Sequence, residues 1–267
     1  MAREIHSTAV VDPGAELADG VKVGPFSVIG PQVVLAEGCV VHSHAVIGGR
    51  TRIGARSEVF PFASVGLRPQ DLKYRGEPSE LVIGSETVIR EHVTLNPGTE
   101  GGGMVTRVGD RCLLMVGTHV GHDCEVGDGV IMANNATLAG HVRVGDFAVL
   151  GGLSAVHQFV RIGRNAMVGG VTGVERDVIP YGSVMGDRAR LSGINIIGMK
   201  RRGHSREDIN SVRKAYRLLF ASEGTFMERL QEVAEEFADC APVMEIVGFI
   251  REDSSRKICQ PGDGGEV

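Results

Sequence analysis

A solenoid of short parallel β-strands, all-β for most of its length and closed by a small α-helical domain, is the fold class that the sequence predicts. Three observations carry it: an aliphatic residue at every sixth position, 38 glycines in 267 residues without low complexity, and a change to helical periodicity near the C-terminus. The hexads run from Val11 to Val65, ten in unbroken register, and resume at Ile83, Ile89 and Leu95. Twelve more follow in a row from Val108 to Val174. With roughly a quarter of ordinary positions aliphatic, such a run is not chance.

Each hexad has its own anatomy. Two residues before the aliphatic position stands a small or β-branched one, as in Ala45 before Ile47, Ser57 before Val59, Thr118 before Val120 and Ala136 before Leu138. That spacing puts both side chains on one face of a short strand, one large and one small. Cys39, Cys112 and Cys124 occupy the small position and are read as packing residues. A turn residue commonly follows the aliphatic one, for instance Gly54, Gly84, Gly127 and Gly163, so strand and turn alternate and wind into a coil. The pattern resembles the left-handed parallel β-helix family, in which three hexads close one triangular coil of eighteen residues. Handedness comes from that resemblance, since general rules favour right-handed crossovers. Twenty-five hexads then give a prism of about eight coils, about 40 Å long.

The predicted β-helix domain spans residues 1–191, with two insertions leaving it. Residues 66–82, GLRPQDLKYRGEPSELV, are polar; residues 96–107, NPGTEGGGMVTR, are Gly-rich. Loops on a rigid scaffold are either tolerated insertions or the carriers of binding residues. A helical domain follows at 192–252. Ser205 can cap a helix with Ile209, Val212, Tyr216, Leu219 and Phe220 on one side, Thr225 and Glu228 form a capping box for a second, and Pro242 suits the first turn of a third. Residues 253–267 are expected to be a disordered tail.

Composition narrows the function. Lys and Arg total 28 against 33 Asp and Glu, a net charge of -5, which argues against nucleic acid as partner. The N-terminus MAREIHSTAVVDPGAEL lacks a signal peptide's basic and apolar regions, and no apolar run approaches a membrane span, so the chain is expected to be cytoplasmic and not an integral membrane protein. Five cysteines at irregular spacing, with no CxxC, fit a reducing compartment.

Stacking residues eighteen apart turns sequence into geometry. His122 falls beneath Gly140 and Gln158, Asp123 beneath His141 and Phe159, and Gly121 beneath Ala139 and His157. His122, His141 and His157 are thereby expected along one edge, beside Asp123. A lone histidine on a repeat scaffold is usually solvated; three beside a carboxylate suggest a site. A metal centre would need three ligands converging on one ion, and His119, which faces out of its strand, does not serve it. No metal or other cofactor is expected. The alternative is general-base catalysis on a sugar hydroxyl, for which an imidazole of ordinary pKa, about 6.5, is mostly neutral and available. An aspartate on the other ring nitrogen would fix the tautomer, but adjacent residues in a strand point apart, so Asp123 can serve His122 only at a corner. The Gly140 amide, one coil away, could receive an oxyanion.

The segments THVGHDCEVGD, ANNATLAGHV, GGLSAVHQF, QDLKYRGEP and NIIGMKRRGHSRE, in this order and register, resemble the acyltransferase family that charges UDP-N-acetylglucosamine from acyl carrier protein at the start of lipid A synthesis. The resemblance runs to about residue 220. It implies a homotrimer with sites between neighbouring prisms, and transfer of a 3-hydroxyacyl chain from the carrier thioester to the glucosamine 3-hydroxyl. His122 matches the family's general base, Asp123 its neighbour and Gly140 the amide donor; His119, His141, His157 and Gln158 match substrate contacts. Asp71 and Lys73 match residues at the sugar and acyl end, Asn195 and Arg201 the nucleotide side. Gly170 and Arg188 match positions that govern acyl-chain length, where the glycine leaves room for a long chain and the arginine departs from the histidine some relatives carry; Ile197 replaces a glutamate found near the ribose in some relatives. Carrier protein as partner has separate support: seven Lys or Arg lie between Lys200 and Arg217, among them Arg202, Arg206, Arg213, Lys214 and Arg217, against Glu207 and Asp208. Competing expectations are a related N-acyltransferase, acting on an acylated glucosamine or a 3-amino sugar, and a metal-dependent β-helix hydratase. The former typically carries a further N-terminal domain, whereas the repeats here begin by about residue 6.

Overall fold

The computed structural model describes residues 2–262 and is a left-handed parallel β-helix followed by a helical domain. Its three faces hold 11, 9 and 8 strands, nearly all two residues long. Pairing is parallel throughout except for the final pair, Gly182–Met185 with Arg190–Ile194. The eighteen-residue stacking holds residue for residue: Val120 pairs with Leu138, Leu138 with Val156, and Val156 with Val174. Between insertions the stack continues, with Val59 paired to Ile89 across the first loop and Leu95 to Val120 across the second.

The hexad aliphatics fill the prism axis. Ile47, Val65, Ile89, Leu114, Val120 and Leu138 are fully buried, and the small partners Ala45, Ala63, Thr118 and Ala136 close the space between them. Cys39, Cys112 and Cys124 do the same, and burial pushes the Cys124 thiol up to about 12, so it is inert at neutral pH. Corners are made by residues in left-handed backbone that are mostly not glycine, including Phe26, His44, Phe62, Asp123, His141 and Phe159. Gly20, Gly38, Gly117 and Gly129 do occupy corners, but the glycines that follow the hexad aliphatics sit beside them, where a neighbouring coil's backbone passes too close for a Cβ, as at Gly54 beneath Gly84 and Ser85.

Four helices follow: α1 (Ile196–Arg201), α2 (Arg206–Leu219), α3 (Phe226–Glu236) and α4 (Ala241–Arg251). The capping boxes at Ser205 with Asp208 and at Thr225 with Glu228 are both formed. The short α1 has no periodic signature and was not foreseen; Asn195 caps it by accepting the Gly198 N–H at 2.9 Å. The expectation of a disordered tail from residue 253 is corrected. Ile258 and Pro261 bridge to Asp177 and Leu191, and Cys259 is fully buried. The remainder of that expectation, residues 263–267, lies outside the described residues.

Candidate active site

Corner geometry decides what Asp123 can do. In left-handed backbone (φ 59°) its side chain curls toward His122 instead of pointing away, and Oδ2 accepts from His122 Nδ1 at 2.8 Å. The carboxylate is fully buried. Its cover is the second insertion: the Thr99 N–H donates to Oδ1 at 2.8 Å and the Thr99 hydroxyl to Oδ2 at 2.6 Å, while Thr106 Oγ1 accepts the Asp123 N–H at 2.7 Å. A Cβ on Gly102 would run into the same carboxylate, so that loop fits only with glycine there. With two of its hydrogen bonds coming from Thr99, the buried carboxylate accepts the third from His122, which fixes a ring proton on Nδ1 and leaves the Nε2 lone pair free.

Gly140 lies directly over that imidazole. A Cβ there would sit 2.5 Å from His122 Cε1 and 2.6 Å from Nε2. The Gly140 N–H has no acceptor among the described residues, because this turn position donates to no neighbouring coil. A basic nitrogen and a free backbone donor thus share one small space, the arrangement acyl transfer requires.

His141, one coil on, stacks on Phe159 at 4.4 Å and meets the His122 ring edge-on at 5.0 Å. Burial lowers its pKa, with the Asp123 carboxylate opposing; the charges of Asp71 and Lys73, from the first insertion, also reach it. Asp71 is partly engaged in its own turn, accepting the Lys73 N–H at 2.9 Å, and Lys73 is exposed. His119 accepts or donates at Nδ1 with Thr94 Oγ1, 2.7 Å away, and burial lowers its pKa too. The expectation that His157 gathers with His122 and His141 is only partly met. It shares the edge, yet its partners are Arg256, at 2.7 Å, and the Gln158 carbonyl.

Elsewhere the predicted residues are more dispersed. Asn195 spends its amide on structure, capping α1 and donating to the Asn165 carbonyl at 2.9 Å. Arg201, Arg202, Arg206, Arg213, Lys214 and Arg217 are exposed, and among the described residues none is in an ion pair. Arg202 lies over Phe147, 4.0 Å from its ring centre. Gly170 stands at an exposed turn, and Arg188 is held by Glu175 at 2.6 Å on the coil beyond. Thr99, Thr106 and Gly102 were missed by sequence reasoning; only the glycine run hinted at a close approach.

Spacing would also let His122, Asp123 and His141 converge on a cation, their ligating atoms lying within 4.8 Å of one another. The donor set does not favour it, since His122 Nδ1 and Thr99 already hold the Asp123 oxygens.

Comparison with known proteins places this geometry. Residues 177–259 match the family model described as domain 2 of UDP-N-acetylglucosamine O-acyltransferase, and residues 14–49 and 106–140 match the bacterial transferase hexapeptide repeat. The chain is 55% identical over 257 residues to the acyl-(acyl-carrier-protein)–UDP-N-acetylglucosamine O-acyltransferase of Caulobacter vibrioides, covering 96% of this chain and 98% of the relative. The enzyme of that name from Azorhizobium caulinodans is 53% identical, covering 97% and 96%. A crystal structure of a UDP-N-acetylglucosamine acyltransferase superposes with a TM-score of 0.93 at 43% identity, covering 97% of this chain and all of that one. Repeat, corner site and helical domain together therefore identify the chain as a member of the UDP-N-acetylglucosamine O-acyltransferase family.

Proposed function

We propose that this chain transfers a 3-hydroxyacyl group from the thioester of acyl carrier protein to the 3-hydroxyl of UDP-N-acetylglucosamine, opening lipid A synthesis in the cytoplasm. The observation that carries the reading is the buried Thr99–Asp123–His122 relay beneath the free Gly140 amide. His122 Nε2 takes the hydroxyl proton as the oxygen attacks the thioester carbon. The Gly140 N–H donates to the oxyanion of the tetrahedral intermediate. As that collapses, the imidazolium returns its proton to the leaving thiolate, and Asp123 stabilises the cation in between.

His119 and His141, kept neutral by burial, suit hydrogen bonding to sugar hydroxyls more than charge pairing, which favours a hydroxyl acceptor. Asp71 and Lys73 border the same corner; His157 and Gln158 are assigned to substrate contact, and Asn195 and Arg201 to the nucleotide side. The unpaired cations of α1 and α2 suit the acidic surface of a carrier protein. The site lies on an open edge, and we place it in the cleft between neighbouring prisms of a homotrimer. Gly170 and Arg188 are assigned to chain-length selection, with a long chain favoured. Radiolabelled UDP-N-acetylglucosamine and a mixture of acyl carrier proteins test the reading directly. Wild-type protein should yield a 3-O-acylated sugar nucleotide, with the preferred chain read by mass spectrometry. No transfer from any carrier would refute it.

A further inference from the structure

One buried carboxylate makes several of the bonds that tie the C-terminal segment after α4 to the prism. Asp177 is fully buried; Oδ1 accepts the Arg161 backbone N–H at 2.8 Å, and Oδ2 accepts Arg161 Nε and the Ser254 hydroxyl, each at 2.7 Å. Its backbone pairs with the segment as well, donating to the Lys257 carbonyl at 2.9 Å and accepting the Cys259 N–H at 2.8 Å. Ser254 in turn accepts the Arg256 N–H at 3.1 Å. A segment held this firmly delivers the Arg256 side chain to the site edge. Its Nε donates to the Gln158 carbonyl at 3.0 Å, and Nη2 lies 2.7 Å from His157 Nδ1.

Guanidinium carries donors only, so His157 Nδ1 must accept and the ring proton must sit on Nε2. The 3.3 Å contact from Nδ1 to the Gln158 carbonyl would need the opposite tautomer and yields to the shorter bond. Gln158 stands two coils above His122, about 10 Å along the prism. A sugar nucleotide with its hydroxyl at His122 has one anionic part to place along that edge, its diphosphate. With Nδ1 accepting from Arg256, the His157 Nε2–H is the donor this edge offers to it.

We propose that Arg256, presented by the docked C-terminal segment, is a positioning residue of the sugar-nucleotide subsite: it locks His157 as the Nε2–H tautomer, a neutral donor to the diphosphate end of the substrate. The substrate's identity rests on the acyltransferase reading; the tautomer does not. The test uses full-length protein with 15N-labelled histidine, His157 being assigned through His157→Gln. In the wild type His157 Nδ1 should resonate as an unprotonated nitrogen at neutral pH. Arg256→Ala should give averaged signals from both tautomers. It should also raise KM for UDP-N-acetylglucosamine about tenfold, the loss of one charge-assisted hydrogen bond, with kcat within about twofold and KM for acyl carrier protein unchanged. Arg256→Lys, which can still donate to Nδ1, should restore the tautomer and most of the KM. Unaltered His157 nitrogen shifts in Arg256→Ala, or an unaltered KM for the sugar nucleotide, would overturn the proposal, as would a lysine variant as impaired as the alanine. Should the wild type transfer no acyl group, the acyltransferase reading fails, while the nitrogen shifts still decide the role of Arg256.

Discussion

Two edges of the prism carry the same turn and the same kinds of side chain, and only one of them is equipped for chemistry. Along the first, Phe26, His44, Phe62 and His92 hold left-handed backbone at φ 58°, 60°, 64° and 59° and stack in a ladder with ring centres 5.1 to 5.2 Å apart. Along the second, Asp123, His141 and Phe159 repeat the geometry at φ 59°, 62° and 63°. A histidine–carboxylate pair is not the distinction either. His42 Nε2 meets Glu58 at 2.6 Å, closer than His122 meets Asp123, but both of those side chains are 37% exposed. What differs is cover: residues 96–107 lay Thr99 across Asp123 and exclude water from it. An exposed pair contributes little and can reorient, whereas a buried, fully hydrogen-bonded carboxylate holds its histidine in one tautomer and one position.

The sharpest way to break this contrast is to remove one imidazole from each edge. His122→Ala should lower kcat by about 10² to 10⁴, the range of a positioned general base, while His44→Ala should stay within about twofold. Equal effects in steady-state transfer assays would erase the distinction. Next in size is Gly140→Ala, whose methyl would crowd the His122 ring at 2.5 Å. A fall in kcat of roughly a hundredfold with an unchanged circular dichroism spectrum is expected, since displacing a base by about 1 Å costs that much.

How much of this could be read from the sequence follows from what is periodic. The hexads fix the buried set almost residue by residue, because a two-residue strand leaves each side chain one choice of face; Val120 and Leu138 fall inward and His119 outward as the spacing requires. The eighteen-residue stack likewise placed His122 under Gly140 and Asp123 under His141. Thr99 was out of reach, because an insertion has no register from which to infer where its loop folds back. The segment carrying Cys259 was misread for a related reason. Its polar, Gly-rich sequence lacks any apolar stripe, and it is held by backbone bridges to Asp177 and Leu191, by the Ser254 hydroxyl on the Asp177 carboxylate and by a buried thiol. Asp123 lay between these cases, since its register was legible and its corner φ was not.

A smaller effect probes the cover itself. Thr99→Val keeps the shape but removes the hydroxyl donor from a buried carboxylate, a loss of about 1.5 to 3 kcal/mol. Thermal midpoint should fall by roughly 3 to 10 °C and kcat by about tenfold, whereas Glu58→Gln on the exposed pair should move the midpoint by about 1 °C or less. Calorimetry that found the two equal would mean that burial is not the difference. Smallest is the pH response of the covered edge. Burial lowers the pKa of both His119 and His141, so between their folded values and the ordinary value of about 6.5 the unfolded chain binds more protons. Their contribution is therefore full above about pH 6.5 and is lost as pH falls through the folded values. His141→Gln should flatten the drop in midpoint between about pH 7 and 5 by on the order of 1 °C; an unchanged slope would count against the burial argument.

The central claim is that His122 and Asp123 act as one unit, which a double-mutant cycle measures. Asp123→Asn alone should cut kcat by about 10² or more, and His122→Ala by more still. Combined, they should lose no more than His122→Ala alone, because the aspartate works only through the imidazole. If the two losses multiply instead, Asp123 acts on the reaction independently of His122 and the relay is not the catalytic device.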